Sequence, residues 1–178
     1  MKKVARVGVS DHAGWAILVT VVPDGKVLDR RRVELVDASL PSLPHHHDAQ
    51  GLPEKKAVAL IERVQRSAEK HANAALEALA ASVSLPIGAI AIRACPPLPP
   101  TIMERINDYR AQCVADTVMF REAIAGAAKA RGWSVSWYEA RRVLAEADQR
   151  LLEKTGAELG SPWTKDHRTA MAAAINAR

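Results

Sequence analysis

The sequence predicts an α/β fold: a mixed five-stranded sheet with helices on both faces. Three observations lead there. Residues 4–36 hold three strand-like runs joined by short turn signals. Two later stretches, from Glu54 and from Thr101, repeat apolar residues every three or four positions, the period of a helix buried along one stripe. Two further short apolar runs, 87–93 and 133–139, lie between helical stretches. A strand reached through a helix returns parallel to its neighbour by a right-handed crossover. The order is therefore β-β-β-α-β-α-β-α in one domain spanning residues 1–178.

Val4 to Ser10 reads as the first strand, with Val7 and Val9 as its alternating apolar positions. Asp11 and His12 follow, then a small Ala-Gly step. Gly14 to Val22 is nearly all apolar, as in a strand covered on both faces. Pro23-Asp24-Gly25 is a turn in which proline presets φ and Asp-Gly tolerates φ > 0. Lys26 to Val36 is polar on both parities in its middle, which places it at a sheet edge. The run Asp29 to Arg32 is read as edge protection in preference to a binding motif. Residues 37–53 carry three prolines and the triplet His45-His46-His47, and read as a flexible loop. Neighbouring residues in a chain cannot all face one ion. A Zn²⁺ or Ni²⁺ site on the triplet is therefore the lesser reading.

A long helix follows over 54–82. Ile87 to Arg93 is a buried strand, stopped by Cys95-Pro96-Pro97. Thr101 with Glu104 has capping-box spacing and starts a helix that runs to Gly132. Trp133 to Glu139 alternates as a strand. A helix from Ala140 to Gly156 and a final helix after Thr164 or Asp166 complete the chain.

Of 178 residues, 48% are hydrophobic, enough for a core, and alanine supplies much of that share, which favours helix. The net charge of +5 suits a polyanionic partner without requiring one. Cys95 and Cys113 form no disulfide framework and match no zinc spacing, and they read as thiols of a reducing compartment. Lys2 and Lys3 mimic a signal segment, but Arg6, Asp11 and His12 interrupt the apolar stretch it would need. A cytoplasmic protein is the expectation, with no membrane partner. A second copy of the chain, in a homodimer, is the other partner considered.

Asp11 at the end of the first strand, and Lys165-Asp166-His167-Arg168-Thr169 opening an alanine-rich last helix, carry a resemblance. Together with the element order they resemble the ribonuclease H-like superfamily, in its Holliday-junction resolvase and nuclease branch. The resemblance implies a phosphodiester hydrolase in which carboxylates from the central strand and the last helix hold Mg²⁺ or Mn²⁺. Two such ions, about 3.5–4 Å apart, clamp the attacking and leaving oxygens, and a metal-bound water attacks. Carried onto this chain, Asp11 and Asp166 are metal ligands; Glu139, at the end of the fifth strand, supplies a third if it points inward. His12 or His167, each beside one acid, is the proton-transfer group. Arg141, Arg142, Lys165 and Arg168 line a phosphate path, and Trp163 contacts the ligand. The branch also places an acid on the fourth strand and a second acid in the last helix. This chain has Arg93 and Cys95, and Thr169, in those places.

Each residue also has a plain structural reading. Asp11 serves an Asx-turn, Asp166 a helix start, Glu139 a solvated strand end, and the arginines a solvated helix face. Trp15, Trp133 and Trp137 read as core. Two functions therefore stand side by side: a divergent metal-dependent nuclease acting on DNA or RNA, and a non-catalytic nucleic-acid-binding or protein-interaction module of the same fold.

Overall fold

In the computed structural model, which describes residues 4–178, the chain opens on three antiparallel strands: β1 (Ala5–His12), β2 (Trp15–Val21) and β3 (Val27–Glu34). Lys2 and Lys3 lie outside the described residues. The first turn has only Ala13 and Gly14, so His12 sits directly opposite Trp15 in the ladder. Gly14 has φ +84°, a conformation that costs a side-chain-bearing residue energy and costs glycine little. β4 (Ile87–Arg93) adds parallel to β1, and β5 (Ser134–Tyr138) adds parallel to β4. The sheet order is β3-β2-β1-β4-β5, which puts β1 at the centre.

Both faces are covered. Val7, Val9, Leu18, Ile90 and Ile92 pack on α1 (Glu54–Ser82) and α3 (Tyr109–Ala130) through Val64, Ala68, Leu76, Leu79, Phe120 and Ile124. On the other face, Ile17, Val19 and Val21 pack on α6 (Lys165–Asn176) through Ala170, Met171 and Ala174. Ala89 and Ala91 meet Ala172 and Ala173 of the same helix. Small residues on both sides let α6 lie close to the sheet. Gly8 marks the closest approach, because a Cβ there would stand 1.9 Å from the carbonyl oxygen of Ala170.

Two helices expected to be continuous are each broken by an aspartate. Thr101 and Glu104 do form the capping box of α2 (Ile102–Asn107), but Asp108 ends that helix and caps the next. Its Oδ1 accepts from the backbone N–H groups of Arg110 (2.8 Å) and Ala111 (2.9 Å). Asp148 does the same between α4 (Ala140–Ala145) and α5 (Gln149–Leu159), accepting from Arg150 and Leu151. A short carboxylate competes well for backbone donors, so it restarts a helix instead of continuing one.

The 37–53 segment is docked, which corrects the reading of a free loop. Residues Pro44–Asp48 make one π-helical turn, and His45 is buried against α3. Asp116 Oδ1 accepts from the backbone N–H (2.9 Å) and Nδ1 (2.7 Å) of His45, and Oδ2 accepts from the backbone N–H of His46 (3.2 Å). With Nδ1 of His45 committed to that carboxylate, the triplet anchors the segment to α3. Among the described residues, no group of three or more His, Cys, Asp or Glu side chains is arranged to hold a metal.

β3 is an edge strand, as expected. Its arginines have separate partners: Arg31 pairs with Asp29, Arg32 with Glu34. Arg30 donates to the carbonyls of Leu159 (3.0 Å), Gly160 (2.9 Å) and Pro162 (2.6 Å), acceptors at and just past the end of α5. None of the described helices is long and apolar enough to cross a membrane.

Gly8→Ala should lower stability by about 3 kcal/mol in urea denaturation, since backbone and not a flexible side chain blocks the added methyl. Gly126→Ala, in α3 with open space around it, should raise stability by about 0.5–1 kcal/mol.

Candidate nucleic-acid interface

Alternation along β1 decides what meets α6. Val7, Val9 and Asp11 share one face of the strand, and Gly8, Ser10 and His12 share the other. The Ser10 hydroxyl donates to Asp166 Oδ1 at 2.8 Å, and His12 Nε2 donates to the same oxygen at 3.0 Å. Burial pushes the Asp166 carboxyl up, but these hydrogen bonds and the nearby imidazoles outweigh it and hold the group below its ordinary value. The His12 ring is also stacked on Trp15, with centroids 4.0 Å apart and planes 8° from parallel. Arg32 in turn lies 3.8 Å from the Trp15 ring centroid.

Ser10, His12 and Asp166 form one wall of a cleft of about 710 Å³ at the carboxyl ends of β1 and β4. The other walls come from Arg93 of β4, Ala140, Arg141 and Leu144 of α4, and Lys165 and Thr169 of α6. Three permanent cations thus face a single carboxylate, whose Oδ1 already accepts two hydrogen bonds.

Asp11 is elsewhere. Its side chain is fully buried on the α3 face, where Oδ2 accepts from Arg121 Nε at 2.7 Å. Its Oδ1 lies 3.5 Å from Arg93 Nε, and both atoms are buried without a hydrogen-bond partner. Arg121 also donates to the carbonyl of Ala94 (3.0 Å), which joins α3 to the end of β4. The expected Asp11–Asp166 pair is therefore not formed. Neighbouring residues of a strand point to opposite faces, and the position that faces α6 is held by Ser10, a neutral hydroxyl.

The remaining expected site residues are scattered. Glu139 is exposed in a separate groove with Trp137 and Arg142, and Arg142 pairs with Glu146 at 2.7 Å. Arg168 is half-buried and lies outside the cleft lining. Trp163 packs on Gly156 and donates from Nε1 to the carbonyl of Leu152 at 3.1 Å, so it locks α5 to the start of α6. His167 is buried, and its Nδ1 accepts from the backbone N–H of Thr164 at 3.2 Å, which caps α6. Burial, with the charge of Arg30, lowers its pKa against the opposing pull of Asp166. His12, Arg141, Lys165 and Asp166 are the expected residues that do meet. Ser10, Arg93 and Arg121 were not among them, although the alternation of Val7 and Val9 already placed Ser10 opposite the core face.

No family model matches the chain, and no curated protein sequence does. Solved structures do. The structure of T. thermophilus RuvC in complex with a Holliday junction substrate matches 97% of this chain and 90% of its own, with a TM-score of 0.54 and 13% identity. A second Thermus thermophilus RuvC structure matches 96% and 91%, with a TM-score of 0.50 and 16% identity. This chain has a ribonuclease H-like fold. At such identities the likeness is one of backbone, and the side chains speak for themselves. A hard dication seeks several anionic oxygens. The cleft of this ribonuclease H-like domain offers one carboxylate, one hydroxyl and one imidazole among three cations, and these residues do not fit a magnesium ion.

Arg121→Ala strands the Asp11 carboxylate in the core and should cost about 3–5 kcal/mol in urea denaturation. The double variant Asp11→Asn with Arg121→Met should recover much of that loss. The depressed pKa of His167 makes a contribution to stability that is full above the ordinary value of 6.5 and is lost as pH falls through the folded value. His167→Gln keeps an acceptor at the cap without a titrating group. Its melting temperature should fall less than that of the native chain as pH drops from about 7 to about 5.

Proposed function

We propose that the protein is a nucleic-acid-binding module that keeps the ribonuclease H-like sheet and does not cleave. The observation that carries this reading is the charge balance of the cleft: Arg93, Arg141 and Lys165 against Asp166 alone. Such a cleft attracts the anion that a metal pair would otherwise have to neutralise. Arginines recognise phosphate oxygens in bidentate fashion, and lysine adds a mobile point charge. The overall charge of +5 adds longer-range attraction. The neighbouring RuvC structure in complex with a Holliday junction substrate supports nucleic acid as the ligand class. The competing reading, a metal-dependent nuclease, needs Asp11 beside Asp166, and the cleft lining contains neither Asp11 nor the optional third acid Glu139. Backbone contacts of this kind recognise charge and shape, with no base sequence read by the three cations.

Fluorescence anisotropy with branched, hybrid, duplex and single-stranded oligonucleotides tests this reading. Binding should weaken steeply with salt, and every substrate should remain whole in millimolar Mg²⁺ or Mn²⁺. Arg141→Ala and Lys165→Ala should each weaken binding about tenfold and each reduce the salt slope by about 1. Neither metal should raise the melting temperature. Cleavage that needs the metal and disappears in Asp166→Asn would establish the nuclease instead, and absence of binding at low salt would exclude both readings.

A further inference from the structure

A row of stacked planar groups crosses three strands beside the cleft. Arg32 of β3 covers Trp15 of β2, and Trp15 covers one face of His12 of β1. The row is on the surface: the side chains of Arg32 and His12 are 51% and 41% exposed. Of the three, His12 alone lines the cleft, while Trp15 and Arg32 line an adjoining groove of about 360 Å³. Asp166 belongs to the walls of both. The imidazole is held at its edge by Asp166 and on one face by Trp15, so its orientation is set before any ligand arrives. The ring so held is part of the cleft wall.

A ring fixed in this way, next to cations, matches one chemistry. Bases inside a duplex have their faces covered by neighbouring pairs, and they offer a planar wall only groove edges. An unpaired base offers an open π face, and stacking accepts any base because every base has one. We propose that His12 is the terminal plate of a stacking row that receives one unpaired nucleobase, while Arg141 and Lys165 hold an adjacent phosphate. The ligand is then a single-stranded segment or a nucleotide turned out of a junction or duplex. This inference rests on the nucleic-acid-binding reading of the same cleft. Because the row is already ordered, little side-chain freedom is lost when the base arrives. Arg32 on the far face of Trp15 completes a π–cation stack that favours electron-rich rings.

The experiment compares a single strand, a strand of equal length made wholly of abasic positions, and a blunt duplex of equal length, each titrated by anisotropy. The native chain should prefer the single strand over the duplex. His12→Ala should lower that preference about tenfold. His12→Phe, which keeps a stacking ring and loses the contact to Asp166, should restore it. The abasic strand should bind the native chain about as weakly as the intact strand binds His12→Ala. Equal loss in His12→Ala and His12→Phe would overturn the stacking role and leave the imidazole as a partner of Asp166 only. Equal native affinity for strand and duplex would overturn it too. Either result, with Arg141→Ala and Lys165→Ala still weakening every ligand, leaves phosphate binding standing. Loss of all binding in the native chain would remove both.

Discussion

The buried pair of Asp11 and Arg121 fixes where the end of the central strand lies relative to α3, and the cleft depends on that placement. A carboxylate with a fully buried side chain is tolerable only with a cation beside it, and Arg121 Nε supplies one at 2.7 Å. The same guanidinium reaches the carbonyl of Ala94, so one side chain gathers the ends of β1, β4 and α3. Once Asp11 is held on that face, the pleat sends Ser10 and His12 to the other, toward α6. The acid that the sequence displays most openly is thereby used in the core, and a hydroxyl and an imidazole are left to meet Asp166.

Arg93 couples the two faces. It lines the cleft, yet its Nε lies 3.5 Å from Asp11 Oδ1, too far for a hydrogen bond and close enough for attraction. Asp11 therefore contributes to the cleft indirectly, by drawing one of its cations to the sheet end. Tyr138 closes the same corner. Its hydroxyl donates to the carbonyl of Val9 at 2.5 Å, and burial pushes its pKa up to about 12. It stays neutral at any physiological pH, so the corner carries two arginines and one carboxylate without a further anion. The cleft inherits a positive potential from this arrangement as well as from Arg141 and Lys165.

Much of the backbone was legible in the sequence. Strand alternation at Val7 and Val9, the Pro-Asp-Gly turn and the Thr101–Glu104 box each act over a few residues, and local signals of that kind survive folding. The breaks at Asp108 and Asp148 were legible in principle, since each aspartate offers an N-cap inside an otherwise apolar stripe. The site was harder because its partners are distant. Nothing local says that Arg121 reaches across to Asp11, that Asp116 draws His45 into the core, or that Trp163 settles on Gly156. The face of Asp11 is the exception. The valines that identify β1 as a strand also give the parity of Asp11, and a strand-end acid in phase with the core faces the core.

The likeness to RuvC and the chemistry of the cleft are separate statements, and charge is where they part. A ribonuclease H-like sheet brings strand ends and the start of a helix to one place whatever residues stand there. Acids at those positions gather cations. Here β1 presents Ser10 and His12, β4 presents Arg93, and α6 presents Asp166 with Lys165 before it. The single carboxylate is used to orient a hydroxyl and an imidazole. Three cations are left without acidic partners in the cleft, and a phosphodiester can meet them directly. The His12 ring, stacked on Trp15 beside those cations, is the element on which the proposed base contact rests. The same topology that would place a metal between two acids here lines the cleft with cations, and on the proposed reading the sign of the ligand follows from Ser10 and Arg93 as much as from Asp166.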